Sequence, residues 1–182
     1  MVPESRVGLV ETQYARFLER SGVASYGAIA QDNRLSAVSV AEIVDALDGT
    51  YVCCDRYGDR LVETYMIGAM SPEHALRYFQ LTPNKVVIVG GDRAEVILAA
   101  LDTPTVAVVL TGTYVPSASV LERAEENGVP LISVDADTVT AADGLRRLFG
   151  RLRVKEPAKV ELIAGVFEER VDVDRLLADL GA

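Results

Sequence analysis

Lys85-Val86-Val87-Ile88-Val89 runs directly into Gly90-Gly91-Asp92-Arg93, and the pattern is repeated twice. Val106-Ala107-Val108-Val109-Leu110 leads into Thr111-Gly112-Thr113-Tyr114-Val115-Pro116-Ser117, and Leu131-Ile132-Ser133-Val134 into Asp135-Ala136-Asp137-Thr138. Continuous β-branched strands do not alternate apolar and polar residues, so both of their faces must be covered, and helix-like segments follow each loop. The expected fold class is therefore α/β: a mostly parallel sheet with helices on both faces, preceded by a short αβ lead-in. Such a sheet gathers its βα loops along one edge, where small ligands usually bind.

Outward from that core, Leu9 to Arg20 has helical spacing, and Ala24 to Ile29 reads as a short strand. Val40 to Leu47 reads as a helix with Ser39 as N-cap and Glu42 as its capping-box partner. Thr50 to Cys54 and Arg60 to Ile67 read as strands around an acidic turn. Ser71-Pro72 opens a helix to Phe79. Further helices are expected near Asp92 to Leu101, Ser117 to Asn127, Thr140 to Phe149, Val160 to Phe167 and Val173 to Leu180. Three regions follow: a lead-in over 1–34, a mixed linker region over 35–84 that packs on the core, and an α/β core with carboxyl-terminal helices over 85–182.

The 182 residues are 49% hydrophobic, enough for a real core, with a formal net charge of -9. That charge argues against a general nucleic-acid binder or a surface that adheres to anionic membranes. The basic run Arg146, Arg147, Arg151, Arg153, Lys155 and Lys159 reads as a solvated helix end and linker. No apolar run approaches the roughly 20 residues needed to span a bilayer, and the charged start lacks a signal-peptide core. Cys53 and Cys54 are adjacent, so on a strand their side chains would point to opposite faces. Two free thiols fit a reducing cytosol, and the expected location is cytoplasmic.

Gly90 and Gly91 let the backbone pass close to a bound group while the next helix directs N–H groups at the same point. Arg93 adds a planar fork for phosphate or carboxylate. Asp92 is either the helix N-cap or an acceptor for a ligand hydroxyl or amine, and the whole tetrad is either a site or a tight capped turn. Thr111, Gly112, Thr113 and Ser117 suit anion or hydroxyl recognition, or serve as a capping loop. Asp135, Asp137, Thr138 and Thr140 either hold a cation or hydroxyls or form a capped helix start, and the capped start is the preferred reading. The single histidine, His74, reads as a surface or packing residue, and the chain has neither a phosphate loop of the Gly-x-x-x-x-Gly-Lys-Ser/Thr kind nor a serine in a nucleophile-elbow context. No metal site, cofactor or catalytic residue is assigned.

From about Leu35 onward the chain resembles the DRTGG domain and the region preceding it in phosphotransacetylase-related proteins. Asp92-Arg93 and Thr111-Gly112 match the signatures in that name, while the second glycine of the triplet is Thr113, a β-branched residue that restricts the backbone. Leu35-Ser36-Ala37, Ile67-Gly68-Ala69-Met70-Ser71 and Pro83-Asn84-Lys85 resemble the stretch that joins a dethiobiotin-synthetase-like ATPase domain to the DRTGG core. By that resemblance the lead-in is the last αβ piece of such a domain. The resemblance implies a non-catalytic regulatory or ligand-binding domain, homodimeric, sensing a phosphorylated metabolite or adenine nucleotide beside a phosphotransacetylase-type acyl-transfer enzyme. The alternatives are a subunit or fragment of a split phosphotransacetylase or ATP-dependent ligase, and a purely structural dimerisation module.

Overall fold

The computed structural model describes residues 2–30, 32, 36–149 and 157–181. The chain divides into two compact units, Met1–Leu35 with Arg153–Ala182, and Ser36–Leu152. At its amino end, α1 (Val7–Leu9), a π-turn (Val10–Tyr14) and α2 (Ala15–Arg20) form the helical run expected over Leu9 to Arg20. The strand expected at Ala24 to Ile29 does not form. Gly27 sits at φ +135°, and a Cβ there would lie 2.0 Å from the Arg170 carbonyl oxygen, so the segment makes only single bridges, Val2 to Ala30 and Gly27 to Val171.

In the Ser36–Leu152 unit, β1 (Val38–Ser39) leads into α3 (Val40–Leu47), and the capping box forms as the sequence predicts. Ser39 Oγ accepts from the Glu42 N–H at 3.1 Å, and Glu42 Oε2 accepts from the Ser39 N–H at 3.0 Å. Next come β2 (Thr50–Cys53), β3 (Leu61–Val62) and β4 (Thr64–Ile67). The strand expected over Arg60 to Ile67 breaks at Glu63, whose N–H donates to Asn84 O at 2.8 Å and whose side chain takes the Asn84 amide at 2.9 Å. The first half pairs with β1 in a two-stranded sheet, and the second joins the main one.

The remaining elements are α4 (Pro72–Leu81), β5 (Lys85–Gly90), α5 (Ala94–Leu101), β6 (Thr105–Thr111), α6 (Ala118–Asn127), β7 (Leu131–Val134) and α7 (Thr138–Phe149). The main sheet has the order β2-β7-β6-β5-β4, parallel except for β2 at one edge. The expected linker region 35–84 thus supplies two of the five strands. Alternation along β5 explains its unbroken apolar run: Val86 and Ile88 face α3 and α7, while Val87 and Val89 face α4, α5 and α6. Both faces are covered, as expected.

The amino-terminal unit is completed by α8 (Pro157–Arg170) and α9 (Val173–Leu180). Tyr26 Oη is 3.0 Å from Asp179 Oδ2, and the Asp172 N–H donates to Tyr26 O at 2.7 Å. Of the basic run, Arg151, Arg153 and Lys155 lie outside the described residues. Among the described residues no helix is long and apolar enough to cross a membrane.

Candidate functional site

The carboxyl ends of the strands align in one row, Gly90 beside Thr111 and Thr111 beside Val134. The Gly91 N–H donates to Thr111 O at 3.0 Å, latching the β5 loop onto β6. Glycine is required here, since a Cβ on Gly91 would lie 2.7 Å from Tyr114 Cβ. The sequence-predicted Gly90, Gly91 and Thr111 are therefore brought together.

Asp92 and Arg93 turn the other way. The Arg93 guanidinium donates to Gly68 O and, at 2.7 Å, to Met70 O, which ties the β5 loop to the loop after β4. The fork read as a phosphate clamp thus holds two backbone carbonyls. Arg93, without a side-chain cap, occupies the N-cap position of α5, and Asp92 is an exposed turn residue rather than the cap. A cleft of about 360 Å³ beside them is lined by Pro72, Asp92, Arg93, Ala94, Glu95 and Val96, and neither Thr111 nor Gly112 reaches it.

The β6 loop provides the open polar surface. Thr111 is buried, with its hydroxyl 3.0 Å from that of Thr138 at the start of α7. Gly112 (φ +87°) and Thr113 (φ +55°) follow, both at positive φ and both exposed. The amides of Gly112, Thr113 and Tyr114 have no backbone acceptor among the described residues. Successive N–H groups presented by such a turn form an anion-binding concavity. Ser117 stands at the N-cap position of α6, but its hydroxyl lies 3.0 Å from that of Ser119 and makes no backbone cap. On the third loop the expected capped helix start forms, with Asp137 as the cap: its Oδ1 accepts from the Thr140 N–H at 2.7 Å, and this bond holds its carboxyl below the usual carboxylate range. His74 is exposed and shares a hydrogen bond with Ser71, which replaces the backbone cap expected of that serine.

The helices after β4, β5 and β6 all lie on one face, whereas α7, after β7, crosses to the other. Loops that part to opposite faces leave a crevice between them, and here it falls between the β6 and β7 loops. Sequence reasoning missed both this position and Thr138 as the partner of Thr111. A β-branched residue in the left-handed region costs about 1–2 kcal/mol relative to glycine in the fold, offset in part by the greater chain entropy glycine loses on folding. Thr113→Gly is expected to raise stability by about 1 kcal/mol, read as a higher urea midpoint at unchanged slope; an unchanged or lower midpoint contradicts the strain.

A doubly covered α/β domain with an amide-rich loop at the carboxyl edge of its sheet is thus the class defined here. The DRTGG domain family matches residues 42–148, more than half of the chain, and the chain belongs to that family. It is 27% identical over 160 residues to the phosphate acetyltransferase of Synechocystis sp., covering 83% of this chain and 23% of that one. It is 29% identical over 128 residues to the phosphate acetyltransferase of Nitratidesulfovibrio vulgaris, covering 65% and 18%. The protein YtoI of Bacillus subtilis is 30% identical over 129 residues, 70% of this chain and 28% of that one. The chain therefore spans less than a third of the length of each of these relatives. Its fold resembles the CBS and DRTGG domains of the regulatory region of Clostridium perfringens pyrophosphatase, a structure complexed with the activator diadenosine tetraphosphate. The TM-score is 0.52 at 20% identity, over 74% of this chain and 66% of that one.

Proposed function

We propose that this chain is a non-catalytic regulatory domain that binds a phosphorylated metabolite, with an adenine nucleotide as the first candidate, and acts beside an acyl-transfer enzyme of phosphotransacetylase type. The observation that carries this reading is the turn at Gly112, Thr113 and Tyr114, whose free amides open beside the parting of α6 and α7. A phosphoryl group there accepts from the turn amides, with the hydroxyls of Thr113 and Ser117 on the same loop. Gly91 keeps the neighbouring loop low against Tyr114, and Arg93 anchors that loop through Gly68 and Met70. The regulatory role and nucleotide ligand of the pyrophosphatase region, and the acetyl transfer of the longer relatives, support the choice of ligand and partner.

Isothermal calorimetry with ATP, ADP, AMP, diadenosine tetraphosphate and acetyl phosphate tests the proposal. At least one ligand is expected to bind, and Gly91→Val, which drives a side chain into Tyr114, should weaken it by more than about tenfold (about 1.4 kcal/mol) while the far-ultraviolet spectrum stays native. Absence of heat with every ligand overturns the reading.

A further inference from the structure

Strand β2 ends at Cys53, and Cys54 adopts φ +62°, ψ +29°. Rotating φ by about half a turn from the extended value swings the Cβ across the N–Cα axis, so the strand alternation expected of adjacent cysteines fails here. Both thiols face α6. Cys53 packs against the apolar cluster that includes Val120, Ala124 and Leu131, and Cys54 Sγ donates to Ala124 O at 3.6 Å. A register shift between Tyr51 and Cys53 marks the same place in the β2–β7 pairing.

From this geometry we infer that Cys53 and Cys54 are a modification site, a vicinal dithiol that a peroxide oxidises to a disulfide between neighbouring residues. Cys53 is the attacking thiol, because it is half-buried while Cys54 is buried. Its sulfur takes one peroxide oxygen as the O–O bond breaks, giving Cys53 sulfenic acid and releasing water. The Cys54 sulfur then displaces the hydroxyl, forming the S–S bond and releasing a second water. Two thiols lose two electrons and two protons, and the peroxide is reduced to two waters.

Burial, with smaller contributions from Cys54 and Glu125, pushes the Cys53 thiol up to about 11, which keeps it protonated near neutral pH and slows the first step. Neighbouring Cα atoms stand about 3.8 Å apart, below the usual disulfide separation, and a strained bridge is readily reduced. Such a bridge suits a reversible switch rather than a structural staple. Its formation removes the Cys54 donor from Ala124 O, two turns along α6 from Ser117.

Intact-mass and peptide mass spectrometry of the full chain, treated with hydrogen peroxide and then with dithiothreitol, reads the outcome. The expected product is the monomer lighter by two hydrogens, with both cysteines in one linked peptide, restored by the reductant. With Cys54→Ser, a sulfenic acid that a sulfenic-selective probe traps is expected at Cys53. Sulfinic or sulfonic acid at Cys53 without loss of the hydrogens, a disulfide between two chains, or two persistent free thiols in the wild-type chain would overturn the inference. Because the wild-type chain carries the decisive reading, no variant's folding can mask it.

Discussion

Phe79→Ala is expected to lower folding stability by about 3–5 kcal/mol, the largest effect of any single substitution considered for this chain. Ala75 and Phe79 are the buried residues of α4, so the phenyl ring makes most of this helix's contact with the apolar cluster formed by β5, β6, α5 and α6. Removing it leaves a cavity that Ala75 cannot fill. The ring centroid also lies 5.6 Å from Lys85 Nζ, so truncation brings water closer to a buried ammonium. Urea unfolding should show a lower midpoint at unchanged slope, and a loss below about 1.5 kcal/mol would mean that α4 is held by something else. Because the loop entering α4 supplies the Gly68 and Met70 carbonyls that anchor Arg93, the same substitution should loosen the β5 loop.

The parallel core was legible because burial on both faces leaves no polar alternation, which identifies β5, β6 and β7 from their composition alone. Local chemistry was legible too: Ser39 and Glu42 form their capping box, and Asp137 caps α7. Expectations failed where a distant backbone decided the outcome. Glu63 breaks a plausible strand because Asn84, 21 residues away, takes both its amide and its carboxylate. Gly27 fits against the Arg170 carbonyl, a neighbour that no local pattern reveals.

The candidate site divides along the same line. Glycine at 91 and 112 was readable, since close approach and positive φ both demand it. The partners of Arg93 were not, because carbonyl oxygens 23 and 25 residues upstream carry no side-chain signature. Thr113 was visible as a departure from the family triplet, yet its backbone takes the left-handed conformation that glycine would have taken. The crevice depends on which face each helix covers, and that requires strand order. Asp92-Arg93 and Thr111-Gly112 are consequently on neighbouring loops, but the cleft beside Asp92 and Arg93 is lined by neither Thr111 nor Gly112.

At the opposite edge of the sheet, Lys85 makes stability depend on pH. Its side chain is fully buried, and Nζ donates to Thr103 Oγ1 at 3.1 Å and Pro104 O at 3.3 Å, with no carboxylate paired to it among the described residues. Burial pulls its pKa from 10.5 down to about 8. Below about pH 8 the ammonium is charged in both states and the fold bears its desolvation penalty. Between there and 10.5 the folded state releases the proton while the unfolded chain keeps it, so stability rises with pH, and above 10.5 the penalty is gone. The gain is on the order of 2 kcal/mol. Cys53 acts in the opposite sense: its raised pKa favours the protonated thiol in the fold, a contribution lost as pH climbs from 9.0 toward about 11. The two are separated by comparing wild type with Lys85→Met at each pH. Losing the donor to Thr103 and Pro104 shifts the variant by a constant, whereas the difference between the curves should move by about 2 kcal/mol in favour of wild type from about pH 8 to 10.5. Parallel curves would mean that Lys85 keeps an ordinary affinity for its proton, with water reaching Nζ in the folded chain.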